Sequence, residues 1–401
     1  MDEPRVALDG RAHRALALMG LALVALAAAA GFYLHATIRS RPPAPQPAMT
    51  AMNWLSSDVG WVVLTDAQTQ SVLFHTVDGG RHWERQFATV GSAISVRFLD
   101  ATHGLMTEPT PFPGSNPTLL RSDDAGAHWA PITLPFFIGP RPNLPYFLDL
   151  DHGWVMVRTG RSDTAEDADI YRTADGGLNW TDVAGVDPIA WVSHGLQEAG
   201  LKRWLSFRSP SDGWLGTLEP DGSAGVYVTH DGGDDWQLVL LAGPPGGWPP
   251  GDDLMIVPPE VAEGGDGALL VVDLTRLGAL RRQHAPASAG PVAVVYSTTN
   301  GGDTWSDPRP TPPAADPLAA DPVFVGGTSG WSAGGDSVWL TSDAGRTWAR
   351  SGRLPGRSFM AVAPVDGDVA VAQTTAGARW SLALTEDAGR SWRSLPSPSL
   401  S

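Results

Sequence analysis

The chain of 401 residues contains no cysteine, which excludes disulfides, thiolate zinc sites and cysteine nucleophiles. That absence does not fix a compartment. Lysine is almost missing as well: Lys202 stands alone against 26 arginines, which, with the alanine richness, reads as genome bias. Positive charge is scarce overall. Residues 1–50 hold five arginines and three acidic residues, leaving 22 basic and 40 acidic groups beyond them, a net of −18. A surface of that sign repels phosphate backbones and argues against a nucleic-acid partner. The strings His-x-His, His-Glu-x-x-His and Gly-x-Ser-x-Gly are absent, so neither a common metal site nor a nucleophile elbow is signalled, and no cofactor is expected.

What is plentiful is glycine (46), proline (35) and tryptophan (17), a composition that favours many short strands joined by turns. One long apolar run, Ala15 to Ile38, is interrupted only by His35. About 20 apolar residues cross a bilayer as a helix. Arg5, Arg11 and Arg14 precede the run and Arg39 and Arg41 follow it, an excess that places the N-terminus inside. Ala28-Ala29-Ala30 also fits a signal-peptide cleavage site, and both readings export the remainder. The expected organisation is a cytoplasmic segment at 1–14, a single-pass anchor at 15–38, a proline-rich stalk at 39–50 and one extracytoplasmic domain at 51–397.

The pattern Ser/Thr-x-Asp-x-Gly-x-x-Trp, called the box below, occurs seven times, with its acidic position at Asp78, Asp124, Asp175, Asp231, Asn300, Asp343 and Asp387. Successive box tryptophans (Trp83, Trp129, Trp180, Trp236, Trp305, Trp348, Trp392) lie 46, 51, 56, 69, 43 and 44 residues apart, the spacing of propeller blades. The aspartate can accept backbone N–H groups of the turn that follows, and the glycine can take positive φ to close a hairpin. Upstream of five boxes an aromatic and a large apolar residue recur seven positions apart: Trp54/Trp61, Phe98/Leu105, Phe147/Trp154, Phe207/Trp214 and Phe324/Trp331. Each repeat reads as four antiparallel strands, A to D. The aromatic lies on A, Gly-Trp opens B, and the box joins C to D. The ring then closes without lending a strand between its ends.

These motifs resemble the Asp-box (BNR-repeat) propellers, a group that includes sialidases, sortilin-type receptors and the photosystem II assembly and stability factors. The aromatic-x6-Trp element followed by Thr-x-Asp-Gly-Gly-x-x-Trp is most similar to the last of these. The resemblance implies an all-β, seven-bladed β-propeller of four-stranded antiparallel blades, acting as a scaffold for membrane-protein intermediates. Fold alone does not carry function.

Length variation falls on one face, in D–A connections such as Pro131–Pro145, Ala184–Arg203, Gly243–Asp253 and Ser306–Asp321. The B–C connections Glu108–Asn116, Thr159–Asp169 and Asp273–Pro291 add to it, with Thr275–Arg282 able to form a short helix. Long loops in a compact domain are usually functional or disordered, so a binding face is expected over blades 2–5. Trp54, Trp339 and Trp380 fit strand positions, which leaves Trp191, Trp204 and Trp248 near those loops. With Arg158, Arg161, Arg276, Arg281, Arg282 and His284 they form the candidate binding set, since aromatics and arginines dominate binding hot spots. The plainer reading has Trp191 and Trp204 covering core and the arginines solubilising loops. The expected partner is a membrane or envelope protein, with cell-wall glycan as an alternative.

An exo-glycosidase like the sialidases is the competing function. The resemblance would then require three converging arginines, a tyrosine–glutamate pair and an acid/base aspartate. The Arg-Ile-Pro string of sialidases is absent, and Tyr171, Tyr227 and Tyr296 each sit two residues before a box Ser/Thr, a structural position. Tyr33 lies in the apolar run, so only Tyr146 is free for such a role. Asp231, Asp234 and Asp235 could attract calcium, but the box accounts for the first and exposure for the others. A non-catalytic binder without metal is therefore expected.

Overall fold

Twenty-eight strands form seven antiparallel sheets of four, each running A-B-C-D in chain order. The computed structural model describes residues 46–91, 95–108, 118–134, 145–161, 166–187, 192–193, 195–197, 199–248, 251, 253–281, 291–312, 320–354, 357–377 and 379–400. Blade 1 comprises Ala48–Trp54, Gly60–Thr65, Gln70–Thr76 and Glu84–Val90. Blade 7 comprises Ser358–Pro364, Ala370–Ala376, Arg379–Thr385 and Arg393–Leu395. Each end of the ring thus supplies its own blade, as the repeat pattern implies. Ala48–Thr50, expected in the stalk, belong to the first strand. The apolar run at 15–38 lies outside the described residues. Among those described, no helix is long and apolar enough to cross a membrane.

The recurring aromatic has a mechanical origin. In five blades it pairs across the A–B hairpin with the glycine six residues on: Trp54 with Gly60, Phe98 with Gly104, Phe147 with Gly153, Phe207 with Gly213 and Phe324 with Gly330. Its ring lies flat over that glycine, where a Cβ at Gly213 would sit 2.3 Å from Phe207. Side chains alternate faces along a strand, so the residue after the glycine points the other way, into the next blade. Trp61 of blade 1 stacks on Phe98 of blade 2, and Trp154 of blade 3 on Phe207 of blade 4, each with centroids 3.6 Å apart. The indole N–H groups then cross the same boundary: Trp61 donates to the Ala125 carbonyl, Trp154 to Gly232 and Trp214 to Gly301, at 2.8 to 2.9 Å. Blades 5 and 7 place Val261 opposite Gly267 and Pro364 opposite Ala370 instead.

Ring closure uses the same materials. Trp54, Val62, Leu64 and Phe74 of blade 1 pack against Val371, Leu382 and Leu384 of blade 7. The Trp83 indole donates to the Pro396 carbonyl (2.8 Å) and Trp380 to that of Pro47 (2.7 Å). The A strands of successive blades approach one another and form the inner wall, and D strands such as Glu84–Val90 are largely exposed.

Candidate functional site

The seven boxes are turn architecture. In each, the Ser/Thr hydroxyl accepts the N–H of the glycine four residues on and donates to the Asp or Asn side-chain oxygen two residues on. In blade 4 Gly233 N donates to Thr229 Oγ1 at 3.0 Å, and that oxygen donates to Asp231 Oδ1 at 2.8 Å. The carboxylate also accepts a backbone N–H four residues on, from His82, His128, Asn179, Asp235, Thr347 and Ser391 in the six aspartate boxes. Asn300 keeps the pattern: its Oδ1 accepts the Thr304 N–H at 3.1 Å and its amide donates to Thr304 Oγ1 at 3.0 Å. The N–H donated by His128 and then its ring nitrogen hold the Asp124 carboxyl down at about 2. The Ser391 hydroxyl and N–H hold Asp387 at about 2 likewise.

Every box turn is also tied to the A–B turn of its own blade. The residue after the acidic position donates its N–H to an A–B carbonyl, as Gly79 does to Asp58 and Ala344 to Thr328, both at 2.9 Å. Both connections therefore share one face. His82 and His128 pair with their box aspartates at 2.6 Å. Asp234 faces Arg172 at 3.5 Å, and no metal-holding group occurs among the described residues.

A cavity of about 250 Å³ opens in the inner wall of blades 2–5. Blade 2 contributes Arg97, Leu105, Met106, Thr107 and Leu119; blade 3 contributes Tyr146 beside Pro145; blades 4 and 5 contribute Trp204, Leu205 and Pro258. Trp204 is 43% exposed. It is turned into the wall by an irregularity between Lys202 and Leu205, and Pro258 by one between Val257 and Glu260. Bulges re-aim side chains in this way. The Arg97 guanidinium lies 4.7 Å over the Tyr146 ring. Glu260, on the blade 5 A strand, is exposed; desolvation by its surroundings raises the carboxyl pKa, and Arg97 partly opposes that. The Tyr146 hydroxyl donates to the Phe207 carbonyl at 2.8 Å, so the one tyrosine of residues 51–397 that does not precede a box is engaged structurally.

Of the nine candidate binding residues, Trp204 reaches the cavity. Trp248, expected to be exposed, is half-buried against the apolar cluster between blades 4 and 5. Arg276 lies in the helix Leu274–Arg281, one residue offset from the span expected. It is fastened there, with its N–H on Asp273 Oδ1 at 2.7 Å and its side chain on the Pro291 carbonyl at 2.9 Å. Arg158 and Arg161 belong to the strand His152–Arg161 and Arg281 to the helix, but their side chains lie outside the described set. Trp191, Arg282 and His284 lie outside the described residues. Three of the expected loops contain strands. The blade 3 ladder extends to Arg161 and Glu166, Val186–Asp187 pairs with Val192–Ser193 ahead of the strand Leu201–Phe207, and Arg309–Pro310 is the fourth strand of blade 5.

Arg97, Tyr146 and Glu260 were not in the expected binding set. They share a signal in the sequence, the position just before the A-strand residue that covers the B strand (Phe98, Phe147, Val261). Lys202 is fully buried, its ammonium donating to the carbonyls of Gln197, Ala199 and Gly200. The single lysine thereby ties down the segment that leads into the strand carrying Trp204.

No family model matches the chain. Over 163 residues it is 25% identical to the photosystem II assembly lipoprotein Ycf48 of Synechococcus sp. (strain CC9902), a match covering 38% of each protein. The chain thus matches about two fifths of that relative's length. The resemblance to assembly-factor propellers is borne out by this similarity. Among solved structures, YCF48 from Cyanidioschyzon merolae superposes with a TM-score of 0.52 at 18% identity, covering 86% of this chain and 97% of that one. An ulvan lyase of a polysaccharide lyase family gives 0.51 at 10%, covering 88% and 97%. A puromycin-hydrolysing peptidase of Mycobacterium tuberculosis gives 0.52 at 11%, covering 87% and 52%. At such identities the likeness is one of fold, and enzymes and assembly factors share it.

Proposed function

We propose that this chain is a non-catalytic binding scaffold, anchored by residues 15–38 with its propeller outside the cytoplasm. It docks a membrane or envelope protein on the loop side and inner wall of blades 2–5. The observation that carries this reading is the cavity with the exposed Trp204 on its wall. An exposed tryptophan beside an arginine is the composition of a binding hot spot. The engaged Tyr146 hydroxyl argues against a tyrosine nucleophile at the same place. Similarity to a protein named for photosystem II assembly and as a lipoprotein supports an assembly role at a membrane. We carry over the mode of action and not the photosystem.

The test is crosslinking of the tagged full-length chain in its native membrane, with captured partners identified by mass spectrometry. A stoichiometric membrane or envelope protein is the expected result. Release of 4-methylumbelliferone from a sialoside by the purified chain, or capture of glycan in place of protein, contradicts it.

A further inference from the structure

We propose that the cavity between blades 2 and 5 receives one large apolar side chain, aliphatic or aromatic, from an extended segment of the docked protein. The inference rests on the scaffold reading above and assigns it a contact point.

Size comes first. An apolar cavity of about 150 Å³ is enough to hold benzene, so about 250 Å³ accommodates a phenyl or isobutyl group. The chemistry of the wall agrees. Its floor is Met106, Leu119 and Leu205, all buried, and its rim is the rings of Tyr146 and Trp204. Those groups lose water contact when the space is filled and gain nothing from a polar guest.

Charge is scarce on the wall. Among the described residues Arg97 is the one charged side chain lining the space, and its guanidinium lies over the Tyr146 ring, so most of the wall offers a guest apolar contact. The source follows from exposed apolar groups elsewhere on the A strands: Val323 (36% exposed) in blade 6 and Met360 (53% exposed) in blade 7. A guest that reaches these as well as the cavity is elongated, as a peptide segment is and a small free molecule is not.

The test uses the full chain in lipid nanodiscs with four probes: N-acetyl-phenylalaninamide, N-acetyl-leucinamide, N-acetyl-asparaginamide and octanoate, read by saturation-transfer NMR. The first two are expected to bind and the asparagine derivative not to. Thr107→Phe, which puts a ring into the space, weakens them at least tenfold; Trp204→Ala, which removes a wall, does the same and serves if the first variant fails to fold. Equal binding of the asparagine derivative, or no weakening in a folded variant, overturns the assignment. Octanoate binding more tightly than the leucine derivative assigns the site to a lipid chain and also overturns it. The two readings separate in the membrane crosslinking. Undiminished capture by Thr107→Phe removes the cavity assignment and leaves the scaffold standing, whereas no capture by the unaltered chain removes the scaffold and the peptide source with it.

Discussion

At the box, one hydroxyl holds two partners: it takes the glycine N–H and gives its proton to the carboxylate. Thr229 is 1% exposed, so Thr229→Ala leaves the Gly233 N–H unpaired. An unsatisfied buried donor costs about 1–3 kcal/mol, and urea denaturation should show a loss of that size, largely restored by Thr229→Ser. The role of the aspartate was legible in the sequence, because a turn with a carboxylate before it has few other ways to pair its N–H groups. The double role of the hydroxyl was not legible, since Ser and Thr are ordinary residues at the end of a strand. A second feature was also hidden. Both residues after the acidic position are left-handed, as Gly79 (φ 68°) and Gly80 (φ 74°) show, yet Ala125, Ala344 and Ala388 occupy the first of these positions at φ 62°, 57° and 60°. A residue with a Cβ pays about 1–2 kcal/mol there. Ala125→Gly should therefore raise the urea midpoint, and a lower midpoint would show that the Ala125 methyl packing outweighs its strain.

Among the elements, the hairpin between strands A and B sets how blades meet. The ring on A covers the glycine on B, and the tryptophan after that glycine enters the next blade. Gly213→Ala places a Cβ 2.3 Å from the Phe207 ring, and overpacking of this kind costs about 1–3 kcal/mol. Gly264→Ala, with nothing within 4 Å of its added Cβ, should be near neutral, so equal losses in the two variants would contradict the account. The seven-residue spacing was visible because hairpin length and strand alternation together impose it. Its meaning as an inter-blade contact was not, since sequence spacing does not say which sheet a side chain enters. The cavity was hidden for a related reason. Irregularities shift the register of A strands in blades 1, 4, 5, 6 and 7, so simple alternation misplaces residues such as Trp204.

On the scale of the whole ring, neighbouring blades are joined by side chains, and one such joint is sensitive to pH. His230 of blade 4 faces Asp212 of its own A–B turn at 2.8 Å through Nδ1 and Asp303 of the blade 5 box at 3.0 Å through Nε2. Arg208 also approaches Asp212, at 3.4 Å. A neutral imidazole donates once, so both bonds form only in the imidazolium. The bonds to Asp212 and then Asp303 raise the pKa of His230. A raised folded-state pKa gives stability that is full below the unfolded value near 6.5 and is lost as pH rises through the folded value. His230 is half exposed, which limits the effect to below about 1 kcal/mol. The deficit of His230→Gln in thermal melts should be present at pH 6 and shrink by pH 9; a deficit that grows with pH would contradict the joint. Charge is uneven around the same ring. Residues 331–401 hold seven arginines against six acidic groups, so the negative charge lies in the earlier blades.

The central claim is that partners engage the inner wall of blades 2–5. The most direct measurement places a photo-crosslinking amino acid at position 204, on that wall, and separately at position 90, on the outer strand of blade 1, in the full-length chain in its native membrane. The account predicts one stoichiometric protein adduct from position 204 and none of that identity from position 90. The same adduct from both positions, or from position 90 alone, would contradict it.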